Sequence, residues 1–128
     1  MAIPIFSQFI FSEIDSSFIT SSAITLVFGV LFVLSNLDYE KKINLKQAFL
    51  LTTLSWLTIA IFGSLPFYFS DLNISFTDSF FESMSGLTTT GSTIISNLEL
   101  APKSVLLWRA LLQWLGGIGI IVMAITLM

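Results

Sequence analysis

The chain has 128 residues, of which 55% are hydrophobic and only 10% charged, with a mean hydropathy of +0.93, against roughly 25% charged residues in an ordinary soluble domain. Its formal net charge is −3 and it contains neither His nor Cys, which excludes disulfides, thiol nucleophiles, imidazole bases and the usual zinc sites. No cluster of basic residues points to nucleic acid.

In chain order, residues 1–11 are apolar but lack a basic leader and a small-residue cleavage site, so they read as the end of a helix rather than a signal peptide. A short acidic loop with Glu13 and Asp15 follows. Residues 18–37 then form the first uncharged stretch close to the roughly 20 residues needed to cross a hydrocarbon core; residues 47–70 and 104–128 form two more, the last interrupted only by Arg109. A soluble bundle would require polar helix faces, which these stretches lack. The fold class expected is all-α and integral to the membrane.

Between the first two spans, Asp38-Tyr39-Glu40-Lys41-Lys42 and Lys46 make a polar loop with three of the five basic residues of the chain. Short Lys-rich loops stay in the cytoplasm, which places loop 38–46 there and the segment after Ser70 outside.

Residues 71–103 are too short for a domain and too apolar for an ordinary loop. Residues 76–85 read as a short helix with Ser75 as N-cap, Asp78 three residues on, and Gly86 as a C-terminal stop. At 1.5 Å per residue such a helix spans about 16 Å, half the bilayer core, and must turn back. Extended, residues 87–93 reach at most about 23 Å, enough to return to the outer surface. A helix entering and an extended segment leaving is the geometry of a pore loop entered from the outer side.

Irregular backbone at membrane depth is tolerated where protein buries it or where it lines a water-filled path. The run Thr88-Thr89-Thr90-Gly91-Ser92-Thr93 combines β-branched residues that favour extended backbone with a glycine open to other dihedrals. Its carbonyls can replace the hydration shell of an ion, and the negative end of the preceding half-helix favours a cation.

Two strings then carry a resemblance: TDSFFESMSGLTTTGST, residues 77–93, and LLWRALLQWLGGIGIIVMAI, residues 106–125. Both resemble the Trk/Ktr/HKT superfamily of potassium transporters, the second string being closer to the TrkH branch than to KtrB. The resemblance implies four helix–pore-loop–helix repeats around one pore, preceded by two extra helices. Residues 1–44 would hold those extra helices, the first truncated, and the cytoplasmic loop. Residues 45–128 would hold the first repeat: outer helix 45–70, pore helix 76–85, filter 88–93 and inner helix 104–128. The chain would then be an N-terminal piece of a potassium uptake subunit.

By the same resemblance, Thr89 and Thr90 match residues whose backbone carbonyls bind potassium, Gly91 matches the single filter glycine, and Ser92 stands where alanine is common. Potassium is then the transported ion, with no catalysis and no cofactor. The implied setting is the bacterial inner membrane, with a second copy of the full-length subunit and the cytoplasmic nucleotide-binding regulator TrkA as partners. A non-transporting scaffold or decayed fragment, and a homotetrameric cation channel, are the alternatives.

Two further expectations come from the residues themselves. Glu82 lies six residues into its helix and Arg109 six beyond Lys103, so each sits roughly 9 Å deep, placed for an ion pair; snorkelling of Arg109 is the other reading. Gly116, Gly117 and Gly119 suit close packing or a hinge, and Trp108 suits an interfacial anchor.

Overall fold

The computed structural model describes residues 1–11, 16–36, 44–96, 99 and 101–127. The acidic loop with Glu13 and Asp15, and the segment from Asp38 to Lys42, lie outside the described residues. Among the described residues five helices follow in order: α1 (Ala2–Phe11), α2 (Ser16–Ser35), α3 (Leu45–Phe69), α4 (Phe76–Leu87) and α5 (Lys103–Leu127). Among the described residues there is no β-strand. Three of these described helices, α2, α3 and α5, are long and apolar enough to cross a membrane.

Seven hydroxyl side chains of α2 and α3 are closed onto their own helix. Thr20, Ser21, Thr25, Thr52, Thr53, Ser55 and Thr58 each donate to the carbonyl four residues earlier. That bond satisfies a polar group without help from another segment, which is what lets Ser and Thr sit in an apolar span. Around them the outer surfaces are apolar: Leu26, Phe32, Val33 and Leu50 are all more than 60% exposed, a pattern suited to lipid or further apolar helices and not to water.

The core gathers where the start of α2, the end of α3 and the first half of α5 meet. Phe18, Phe67, Val105, Trp108 and Leu112 are buried together, and the Phe18 and Trp108 rings meet edge to face at 6.4 Å. Trp108 is therefore a core residue and not an interfacial anchor. It lies more than a turn into α5, which begins at Lys103, and its indole N–H donates to the Gly63 carbonyl at 2.9 Å. An indole pointing inward needs such an acceptor.

Helix α4 packs between α3 and α5. Its twelve residues make a helix about 18 Å long, too short to span the roughly 30 Å hydrocarbon core. Small residues set its distance from its neighbours. A Cβ on Gly63 of α3 would stand 2.6 Å from Ser83 Oγ, and one on Gly86 would stand 3.3 Å from Leu112 Cβ. Gly86 does not end the helix: it packs against Leu112 of α5, and α4 runs on to Leu87.

Candidate functional site

Helix α4 begins as its sequence dictates. Ser75 is the N-cap, in extended conformation, and its hydroxyl accepts the Asp78 N–H at 3.1 Å, while the Asp78 carboxylate lies beside the positive end of the helix.

Its C-terminus departs from the expected extended exit. The Thr88 N–H bonds to the Met84 carbonyl, Thr89 N–H to Gly86, and both Thr90 and Gly91 N–H to Ser85. The last carbonyls of α4 thus recapture the four following donors, as helix ends require. That recapture holds Thr88 at φ −80°, ψ 2° and forces Thr89 to φ +58°, with Gly91 at φ +79°. A left-handed β-branched residue is an outlier costing about 1–3 kcal/mol, the kind of local strain that clusters at functional sites.

Beyond this cap the chain runs back along α4. Ser85 Oγ donates to the Ser92 carbonyl at 2.6 Å, and the Glu82 carboxylate accepts from Thr93 Oγ1 and the Ile94 N–H, each at 3.0 Å. Pairing of 85 with 92 and of 82 with 93 and 94 defines a tight hairpin of helix and returning strand-like backbone. Thr88 Oγ1 turns inward to the Met84 carbonyl and lies 2.9 Å from Thr90 Oγ1.

Arg109 on α5 closes the hairpin. Its Nε lies 2.5 Å from Glu82 Oε1, and its Nη2 donates to the Gly91 carbonyl at 2.9 Å and the Ser92 carbonyl at 3.4 Å. Glu82 is wholly buried and the Arg109 side chain is 16% exposed. Two charges withdrawn from water in this way hold together only when their remaining hydrogen-bonding capacity is also met, and here both carboxylate oxygens have partners. The guanidinium reaches across to the carboxylate instead of snorkelling.

Of the six residues expected to form a filter, Thr88, Thr89 and Thr90 offer carbonyls that accept no hydrogen bond among the described residues, whereas those of Gly91 and Ser92 are engaged. Thr93 serves the Glu82 carboxylate through its side chain. No group of His, Cys, Asp and Glu able to hold a metal ion exists among the described residues.

Ser85 and Gln113, for which the sequence suggested no role, and Gly116 also shape the site. Ser85 is one turn beyond Glu82 on the same face of α4, and Gln113 is one turn beyond Arg109 on α5, a spacing that places each beside its charged neighbour. Gln113 Nε2 lies 3.4 Å from where a Gly91 side chain would begin. Gly116 faces the end of α4: a Cβ there would collide with the Leu87 backbone carbonyl. Its role is close packing.

Comparisons with known proteins agree in one direction. The family model described as "TrkH: Cation transport protein" matches residues 14–128. The Trk system potassium uptake protein TrkH of Halomonas elongata is 38% identical over 130 residues, covering all of this chain and 27% of that relative. The Trk system potassium uptake protein TrkI of the same organism is 43% identical over 129 residues, covering all of this chain and 26% of the relative. TrkH of Escherichia coli is 40% identical over 106 residues, 82% of this chain and 22% of the relative. The chain therefore spans about a quarter of the length of the curated relatives it matches. No solved structure matches it. With a family match over residues 14–128 and three apolar helices of spanning length, this chain belongs to the TrkH family of cation transport proteins.

Proposed function

We propose that this chain takes part in potassium transport across the membrane, with residues 45–128 acting as one helix–pore-loop–helix unit. In this reading α3 is the outer helix, α4 the pore helix, residues 88–93 the filter segment and α5 the inner helix. The observation that carries it is the return of the chain at the end of α4, where the Thr88, Thr89 and Thr90 carbonyls have no hydrogen-bond partner among the described residues and lie beside the negative end of a helix too short to cross the bilayer. Carbonyls in that position serve as ligands for a dehydrated cation, and Thr89 and Thr90 are the main potassium-binding residues.

Passage of the ion involves no covalent chemistry, and the matched relatives are named as uptake proteins, which favours transport over a non-transporting scaffold. The remaining walls of the pore come from further units, since one unit encloses an ion on one side only. In the bacterial inner membrane, loop 38–46 lies in the cytoplasm and α4 enters from outside. The family setting adds a second subunit copy and the nucleotide-binding regulator TrkA as partners.

Rubidium uptake by a full-length relative whose matching quarter is replaced by this chain tests the reading, in cells lacking other potassium uptake. Gly91→Ala places a side chain at φ +79° against Gln113 and is expected to cut uptake at least about tenfold, equivalent to roughly 1.4 kcal/mol. Undiminished uptake after replacing residues 88–91 together with alanine would refute it.

A further inference from the structure

A filter segment is ordinarily pictured as a row of carbonyls aimed at the ion, yet two carbonyls here are already taken. Arg109 Nη2 donates to the Gly91 carbonyl at 2.9 Å and approaches the Ser92 carbonyl at 3.4 Å, and Ser92 also accepts from Ser85 Oγ at 2.6 Å. A carbonyl facing a guanidinium is a poor cation ligand, because a cation bound to the same oxygen would stand close to a fixed positive charge. The bond from a charged donor is also stronger than one between neutral groups.

The guanidinium cannot drift away from these carbonyls, because Glu82 holds its Nε at 2.5 Å and is itself fixed by Thr93 Oγ1 and the Ile94 N–H. Arginine suits this bridge through its planar fork, which bonds a carboxylate with one nitrogen and a carbonyl with another; the ammonium of lysine is a single point of charge.

We propose that Arg109, braced by Glu82, withdraws the Gly91 and Ser92 carbonyls from the ion path, so that the ligand set of this unit ends at Thr90. Arg109 is then a positioning residue that decides which carbonyls meet the cation. The inference rests on the transport reading above and goes beyond it by dividing the filter segment into a ligating half, residues 88–90, and a tethered half, residues 91–93. Glu82 has a second consequence: it offsets the charge of Arg109 beside the path, so the tether does not repel the ion from the Thr90 carbonyl.

The test places a 13C label at the carbonyl of Thr90 or of Gly91 in a full-length transporter carrying this unit, held in lipid bilayers, and follows each carbonyl resonance as potassium replaces N-methylglucamine. The expected result is a potassium-dependent shift at Thr90 and none at Gly91. In Arg109→Gln, Gly91 is expected to acquire a potassium-dependent shift, a readout that a purely structural role would not move. Equal shifts at Thr90 and Gly91 in the unaltered protein would overturn the proposal, and the label in that protein decides the matter even if the variant fails to fold. Absence of a shift at both positions would overturn the ion-path reading itself and this inference with it.

Discussion

The outer spans and the α4 hairpin satisfy their polar groups in opposite ways. In α2 and α3 hydroxyls such as those of Thr20, Thr52 and Thr58 return to a carbonyl of their own helix, Thr58 to Leu54 and Thr52 to Ala48. In the hairpin, Glu82, Ser85 and Arg109 bond to segments 7 to 27 residues away in sequence. Local closure makes a span indifferent to its neighbours, while distant closure makes the hairpin an all-or-none assembly in which each partner leaves another stranded.

This contrast sets an order for substitutions, measured as thermal unfolding of the protein in detergent micelles. Glu82→Ala should have the largest effect: it strands the Arg109 charge and three hydrogen-bond donors, and breaking a buried pair by removing one partner costs about 3–5 kcal/mol. Gly116→Ala comes next, since its Cβ meets the Leu87 carbonyl and overpacking against backbone costs about 1–3 kcal/mol. Trp108→Phe keeps the ring and loses the donor to Gly63, a change worth about 1–2 kcal/mol. Smallest is Gly29→Ala on α2, where nothing lies within 4 Å; it should be neutral or stabilise by up to about 1 kcal/mol through helix propensity. If Gly29→Ala destabilised the protein as much as Gly116→Ala, the division between the two regions would be lost.

The same contrast explains what could be read from the sequence. Span length and apolarity are local properties, and α2, α3 and α5 follow from uninterrupted apolar runs. The Ser75 cap is equally local, since a hydroxyl three residues before Asp78 needs no tertiary partner. Glu82 and Arg109 each stand six residues beyond the first residue of their helix, Phe76 and Lys103, and the structure holds them 2.5 Å apart.

What escaped was decided by a neighbouring segment. Gly86 carries the signal of a helix stop, but it packs against Leu112 of α5 and the helix continues to Leu87. Thr89 carries the signal of extended backbone, yet the end of α4 captures its N–H and turns it left-handed. Trp108 carries the signal of an interfacial anchor, and the fold gives it Phe18 and the Gly63 carbonyl instead. The bond from Arg109 to Gly91 joins residues 18 apart through a loop whose path no periodicity specifies.

The central claim is that the carbonyls of Thr88 to Thr90, which accept no hydrogen bond among the described residues, face an ion inside the membrane. Anomalous scattering from thallium in crystals of a full-length transporter carrying this unit addresses it most directly. A thallium peak in contact with the Thr89 and Thr90 carbonyls, at the depth of the C-terminal end of α4, is the result the account predicts. Thallium bound elsewhere along the pore, with residues 88–90 turned into protein or lying outside the bilayer, would contradict it.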